Sequence, residues 1–360
     1  RESGTPTFTD GTITGADVGI QMGGNSAASV IDGVTISSPT STGLKVTGSV
    51  SSTVDDLTVT GGNYGVLNTL TGRGRLNLNN FVLSNQASAG INILKDISGD
   101  MSGTITGSAG PAINYGSQTS TDLEFTGLNL ATNAIGIGTS GKGDIDLYDS
   151  AFGNTVDFSI GGPSTVTFVD GTVDENSVDV TGQGLFNRAR SLEATVTADS
   201  SSIGAETAVY LMNSGGKVTG VGETDSSGIA QGLQYYTAVV DKNGLTSPNL
   251  AGYKLGTVAQ VGTYPSTTGD FRYYYDSVSL DANAATQETV DLTDRFDARI
   301  CYFSNAAYTQ IAGCAGSLST SGSRTISCGT GCTITEYGYF GGVPADMSGK
   351  TIMMDASFMY

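Results

Sequence analysis

Residues 8 to about 180 repeat one unit of 20 to 25 residues about eight times, and a fixed period of that length decides architecture before any single residue does. The unit opens on a turn and a β-branched pair: Asp10-Gly11-Thr12-Ile13-Thr14, Asp32-Gly33-Val34-Thr35-Ile36, Asp56-Leu57-Thr58-Val59-Thr60. The series continues through Asn80–Ser84, Ser102–Thr106 and Gly127–Leu130, with a last copy at Asp170-Gly171-Thr172-Val173. A second alternating stretch follows, as in Gly43-Leu44-Lys45-Val46 and Gly65-Val66-Leu67-Asn68, and a third as in Arg75–Leu78, Asp122–Phe125 and Asp144–Leu147. Each stretch alternates apolar and polar residues, so each has one face to bury. No unit buries that face alone, and stacked coils bury it against their neighbours.

Three strands in about 22 residues, with Gly, Asp, Asn and Ser at the corners, predict a parallel β-helix, right-handed as parallel β connections usually are. The corner glycines read as positions of positive φ. This rhythm resembles the right-handed parallel β-helix superfamily, whose members include pectate-lyase-like enzymes, phage tailspikes and secreted surface proteins. The resemblance covers half the chain and implies fold more than function.

The coil rhythm stops near Arg188-Ala189-Arg190. Longer strands are expected at Leu192–Ala198, Ala208–Met212, Lys217–Glu223, Ile229–Val240, Tyr253–Val261, Phe271–Leu280 and Glu288–Leu292, a count and spacing that suggest an Ig-like sandwich. Thr224-Asp225-Ser226-Ser227-Gly228-Ile229-Ala230 resembles the T-D-x-x-G-x-A turn of microbial surface Ig-like or carboxypeptidase-regulatory-like modules. The expected fold is therefore all-β: a three-strand-per-coil right-handed parallel β-helix over 1–190, an Ig-like β-sandwich over 191–298, and a disulfide-stapled β tail over 299–360.

All four cysteines, Cys301, Cys314, Cys328 and Cys332, lie in that tail. Two disulfides are expected, Cys301–Cys314 and Cys328–Cys332, among three connectivities. A four-cysteine zinc site is the competing reading, against which stands the lack of paired C-x-x-C knuckles. Disulfides imply an oxidising, extracellular or cell-surface location.

A net charge of −18 opposes nucleic-acid binding, and no apolar run reaches the length of a membrane span. No signal peptide is visible, so a secreted protein would here be a processed form. The chain has no His, which removes the usual base of serine and cysteine hydrolases. None of its 19 Asn begins an N-x-Ser/Thr sequon, which fits a surface kept clear of N-glycans.

Thirteen of 16 tyrosines follow residue 190. In Tyr273-Tyr274-Tyr275 one face of the strand packs in a core and the other exposes a ring for an interface, or for stacking on a sugar. The terminal run through Phe358 and Tyr360 is either a domain's last strand or a strand donated to a neighbour.

Catalytic residues are not marked. The arginines within the coils, Arg73 and Arg75, lack the Arg-x-Pro companion expected of a pectate-lyase-like base, and among 34 acids no pair stands out. No organic cofactor is expected. Calcium is the candidate ion, at Asp144, Asp146 and Asp149, or at Asp291, Asp294 and Asp297. Asp170, Asp174, Glu175 and Asp179 form another acidic set. Ile145 and Leu147 point inward, so Asp144 and Asp146 also read as a solvated strand face.

The first coil begins within about eight residues of Arg1 with no amphipathic helix before it, so another subunit or an upstream portion is expected to cover that end. The resulting expectation is a non-enzymatic, extracellular structural subunit that polymerises with copies of itself, head to tail or laterally, into a filament or surface layer on a microbial cell. The alternatives are an adhesin that binds surface glycans, a polysaccharide lyase or hydrolase, and a tailspike-like trimer.

Overall fold

A computed structural model describes residues 7–23, 29–47, 51–69, 75–198, 201–261, 270–292, 294–295, 299–303, 311–314, 323–327, 333–337 and 351–355. The chain divides into two compact units, residues 1–190 with 236–248, and residues 191–235 with 249–360.

The first unit is a parallel β-solenoid of about seven turns, against the eight or so coils expected. A coil is seen in Ser51–Asp55, Thr58–Thr60 and Tyr64–Asn68. The third strand of every coil joins one eight-stranded parallel sheet that runs from Val18–Met22 to Val178–Val180. The first two strands of a coil flank a corner and in places run together, as in Arg75–Ser84 and Leu123–Ala131. The second strands of successive coils pair so that Ile36, Val59, Leu83, Ile105 and Leu130 stack as one fully buried rank. Burying each such side chain stabilises the fold by about 1.5–3 kcal/mol, which explains why this rank never admits a polar residue.

On the outer side of the same second strands, Thr12, Thr35, Thr58, Val82 and Thr104 form one rank. Thr14, Ser37, Thr60, Ser84 and Thr106 form a second.

The corners explain the recurring Asp and Asn. Asp10, Gly33, Asp56, Asn80, Gly127, Asp149 and Asp170 open the second segment of their coils and all have left-handed φ, for example 51° at Asp56 and 48° at Asp149. Asp, Asn and Gly tolerate that region best.

The glycines that open the third strand have a different cause from the one expected. Gly19, Gly43, Gly65 and Gly90 are not among the residues of positive φ. They sit where coils approach closely: a Cβ on Gly65 would lie 2.8 Å from the carbonyl oxygen of Gly90 and 3.0 Å from a Leu83 methyl.

The last copy of the opening motif, Asp170–Val173, is not a strand. Asp170 keeps the left-handed corner, and a Cβ on Gly171 would stand 1.7 Å from the buried Phe168 ring, so only glycine fits there. A 3-10 turn at Glu175–Ser177 precedes the final strand, Val178–Val180.

Residues 236–248, expected within the second domain, belong to the first unit. They form a hairpin pairing Val239–Asp241 with Gly244–Thr246, and Val240 joins the solenoid core. Arg188 pairs with Glu175 and donates from Nε to Thr237 Oγ1 at 2.9 Å, while Arg190, buried, donates to the Gly171 carbonyl at 2.8 Å.

In the second unit the expected strands appear close to their places, among them Ala208–Met212, Val218–Thr224, Lys254–Val261, Asp270–Ser277 and Thr286–Asp291. Leu192–Thr197 pair in parallel with Thr286–Asp291, and the other long strands of this unit pair antiparallel. The Tyr235 hydroxyl lies within hydrogen-bond distance of the carbonyl oxygens of Asp281 (2.7 Å) and Ala284 (3.0 Å) and of Thr286 Oγ1 (2.8 Å). In the tail, Arg299–Phe303 pairs antiparallel with Ile311–Cys314 and with Thr351–Asp355, so the C-terminal run has a partner within its own chain.

Candidate functional site

The polar residues of the coils first serve the coils. Asp96 accepts from the Ser120 and Thr121 N–H groups of the next turn at 2.6 and 3.1 Å, Asp122 from Asp144 N–H at 2.9 Å, and Asp144 from Thr165 N–H at 2.8 Å. The bond from the Ser120 N–H holds the Asp96 carboxyl below its ordinary range. A second spine is buried: Ser108 Oγ meets Gln86 Oε1 at 3.4 Å, and Ser108 N–H donates to Asn133 Oδ1 at 2.9 Å. Asn133 Nδ2 donates to Asn154 Oδ1 at 2.8 Å, Asn154 Nδ2 to Asp157 Oδ1 at 3.1 Å, and Ser177 Oγ to Asp157 Oδ2 at 2.7 Å.

Where the first strands of the last coils face outward, they form an open cleft of about 600 Å³. Asp122, Asp144, Asp146, Thr165, Thr167, Leu185 and Asn187 line one side, and Tyr236 and Val239 of the hairpin line the other. The register builds it, because Glu124, Asp146, Thr167 and Asn187 are successive partners on one face. Thr167 and Asn187 are buried in its floor, while Tyr236 keeps 45% of its surface exposed. Burial raises the Asp146 carboxyl above its ordinary value, and the neighbouring charges of Asp144, Glu124 and Asp122 push the same way against a bond from Thr167. An acidic, hydroxyl-lined hollow beside an exposed ring suits a ligand that donates hydrogen bonds and offers a face to stack on.

Of the first calcium candidate, Asp144 and Asp146 meet at this cleft, and Asp149 stands at its corner outside the lining. Among the described residues, no group of three or more His, Cys, Asp or Glu is placed to hold a metal. Asp291 is half-buried on the edge strand Thr286–Asp291, and Thr197 Oγ1 donates to it at 3.3 Å. Asp294 starts a two-residue strand, its side chain outside the described residues, as is all of Asp297. In the further acidic set, Asp174 caps the 3-10 turn by accepting from Asn176 N–H at 2.9 Å, and Glu175 pairs with Arg188. Cys301 and Cys314 stand directly opposite each other in their hairpin, while Cys328 and Cys332 lie outside the described residues.

Of the tyrosine run, Tyr274 packs half-buried against the second unit's core, and burial, then Asp276 and Glu288, raises its hydroxyl pKa. The side chains of Tyr273 and Tyr275, all of Phe358 and Tyr360, and Arg73 lie outside the described residues. The residues that sequence reasoning missed are Asp122, Thr167, Asn187 and Tyr236. The period alone could have aligned the first three with Asp144 and Asp146, whereas the approach of Tyr236 has no local signal. The chain matches no protein-family model, no curated protein and no solved structure.

Proposed function

We propose that the chain is an extracellular structural subunit that assembles with copies of itself into a filament or surface layer on a microbial cell. The observation that carries this reading is the use of the coil carboxylates and amides to bind the next coil, as suits a scaffold more than a catalytic surface.

The second unit is read as an Ig-like sandwich and the tail as disulfide-stapled. The Cys301–Cys314 register supports the first bridge, since directly opposed strand residues are close enough for one. Calcium at the aspartates is part of the same proposal. Electron microscopy of the purified protein, with and without EDTA, tests it: regular fibres support the reading, fibres lost in EDTA support calcium, and dispersed single particles overturn it.

A second reading, a glycan-binding adhesin, is favoured by the cleft with Tyr236 alone. Glycan-array binding abolished by Tyr236→Ala would support it.

A further inference from the structure

We infer that the outer face of the second strands is an ice-binding surface. Its two ranks run from Thr12 to Thr104 and from Thr14 to Thr106, five coils deep, and nine of the ten positions are Thr or Ser. The exception, Val82, has the shape of threonine and is 44% exposed. No charge falls on this face in a chain of net charge −18, although the outer side of the first strands carries Arg75, Glu124 and Asp146.

All ten side chains are exposed or half-exposed. One hydroxyl bond joins the ranks' members, from Ser84 Oγ to Thr60 Oγ1 at 3.2 Å. Elsewhere several polar side chains of the solenoid bond to the neighbouring coil, whereas most side chains of this face have no such bond and stay exposed or half-exposed.

The chemistry of the partner follows from what the face has and lacks. The cores of protein interfaces favour Tyr, Trp, Phe, Met and Arg and are poor in Ser, so this face is a poor protein contact. It has no ring on which a sugar could stack. Its distinctive property is a two-dimensional repeat: about 4.8 Å from coil to coil and about 6.6 Å between alternate residues along a strand. Those spacings are close in size to the repeats of water oxygens on the faces of an ice crystal.

Threonine is stiff at χ1, so the array is ordered before it binds. Immobilising one water from the liquid costs about 0–2 kcal/mol, a cost that water already held in a crystal has largely met. Hydroxyls anchor such water and the methyls fill the gaps between them. The inference rests on the solenoid alone and is independent of the assembly reading.

The test is nanolitre osmometry of the full chain, recording crystal shape and the gap between melting and freezing points. Faceted crystals and a measurable gap are expected from the unaltered protein. The double variant Thr35→Tyr/Thr58→Tyr should abolish both, as should Thr106→Lys, which adds only a flexible charge to the face. Thr126→Tyr, on an exposed position of the first-strand face, should leave both unchanged. Circular dichroism of each variant separates loss of the face from loss of the fold. Rounded crystals and no gap from the unaltered protein would overturn the inference, as would an equal loss in Thr126→Tyr. So would a lateral dimer, seen by size exclusion, that Thr58→Tyr dissociates, because the face would then belong to a second copy.

Discussion

At the scale of single residues, conformation and proximity account for most of what recurs. Asp149 recurs with Asp10, Asp56 and Asp170 because each corner needs a left-handed residue, which is a cause unrelated to metal. Asn is drawn into the coils in the same way: Asn68, Asn92, Asn133 and Asn187 are buried and Asn80 and Asn85 are left-handed corners, which weakens the link between missing sequons and a glycan-free surface. Gly65→Ala should destabilise the protein by about 1–3 kcal/mol in urea unfolding, because the added methyl meets a backbone carbonyl that the stack holds in place. Asp146 tests the electrostatics of the cleft. Its folded pKa is raised, so its contribution to stability is full below the ordinary carboxylate range and is lost as pH rises through the raised value. Asp146→Asn should therefore raise the unfolding free energy measured in urea at pH 7, by about 0.5 kcal/mol for a half-exposed group, and the difference from the unaltered protein should shrink at pH 4.

At the scale of elements, the period was readable and its interruptions were not. Alternation of side chains located the stacked strands and most strands of the second unit, since the buried ranks are mostly apolar. The loss of the strand at Asp170–Val173 is one such interruption: the opening motif is intact there, yet no strand forms. The cleft was half legible. Asp144 and Asp146 show in the local sequence, but Asn187 and Tyr236 reach it through coil register and a returning hairpin. The buried spine through Gln86, Ser108, Asn133 and Asn154 is an element in its own right. Asn133→Ala would take the side-chain partner from the Ile105 carbonyl and from the Ser108 N–H together, and thermal unfolding should report a loss of about 2–4 kcal/mol. If the loss is no larger than for an exposed Asn such as Asn129, the spine is not cooperative.

At the scale of the whole molecule, the first unit is not continuous in sequence, since residues 236–248 complete it. Val240→Asp should place an unpaired carboxylate in the solenoid core and lower stability by several kcal/mol, read as a lower melting temperature. Leu245→Asp, at a site 56% exposed on the same hairpin, should not.

The hairpin also sets an order of events during synthesis. Coils ending at Arg190 can stack one after another as the chain is made, each new strand using the last as a template. Val240 is not available to them until residues 191 to 235 have emerged as well. A nascent chain halted before Tyr236 would hold a nearly finished solenoid without the side chain that completes its core, sensitive to protease and prone to pair with a neighbour. Extending the halted chain past Pro248 should end both properties in a single step.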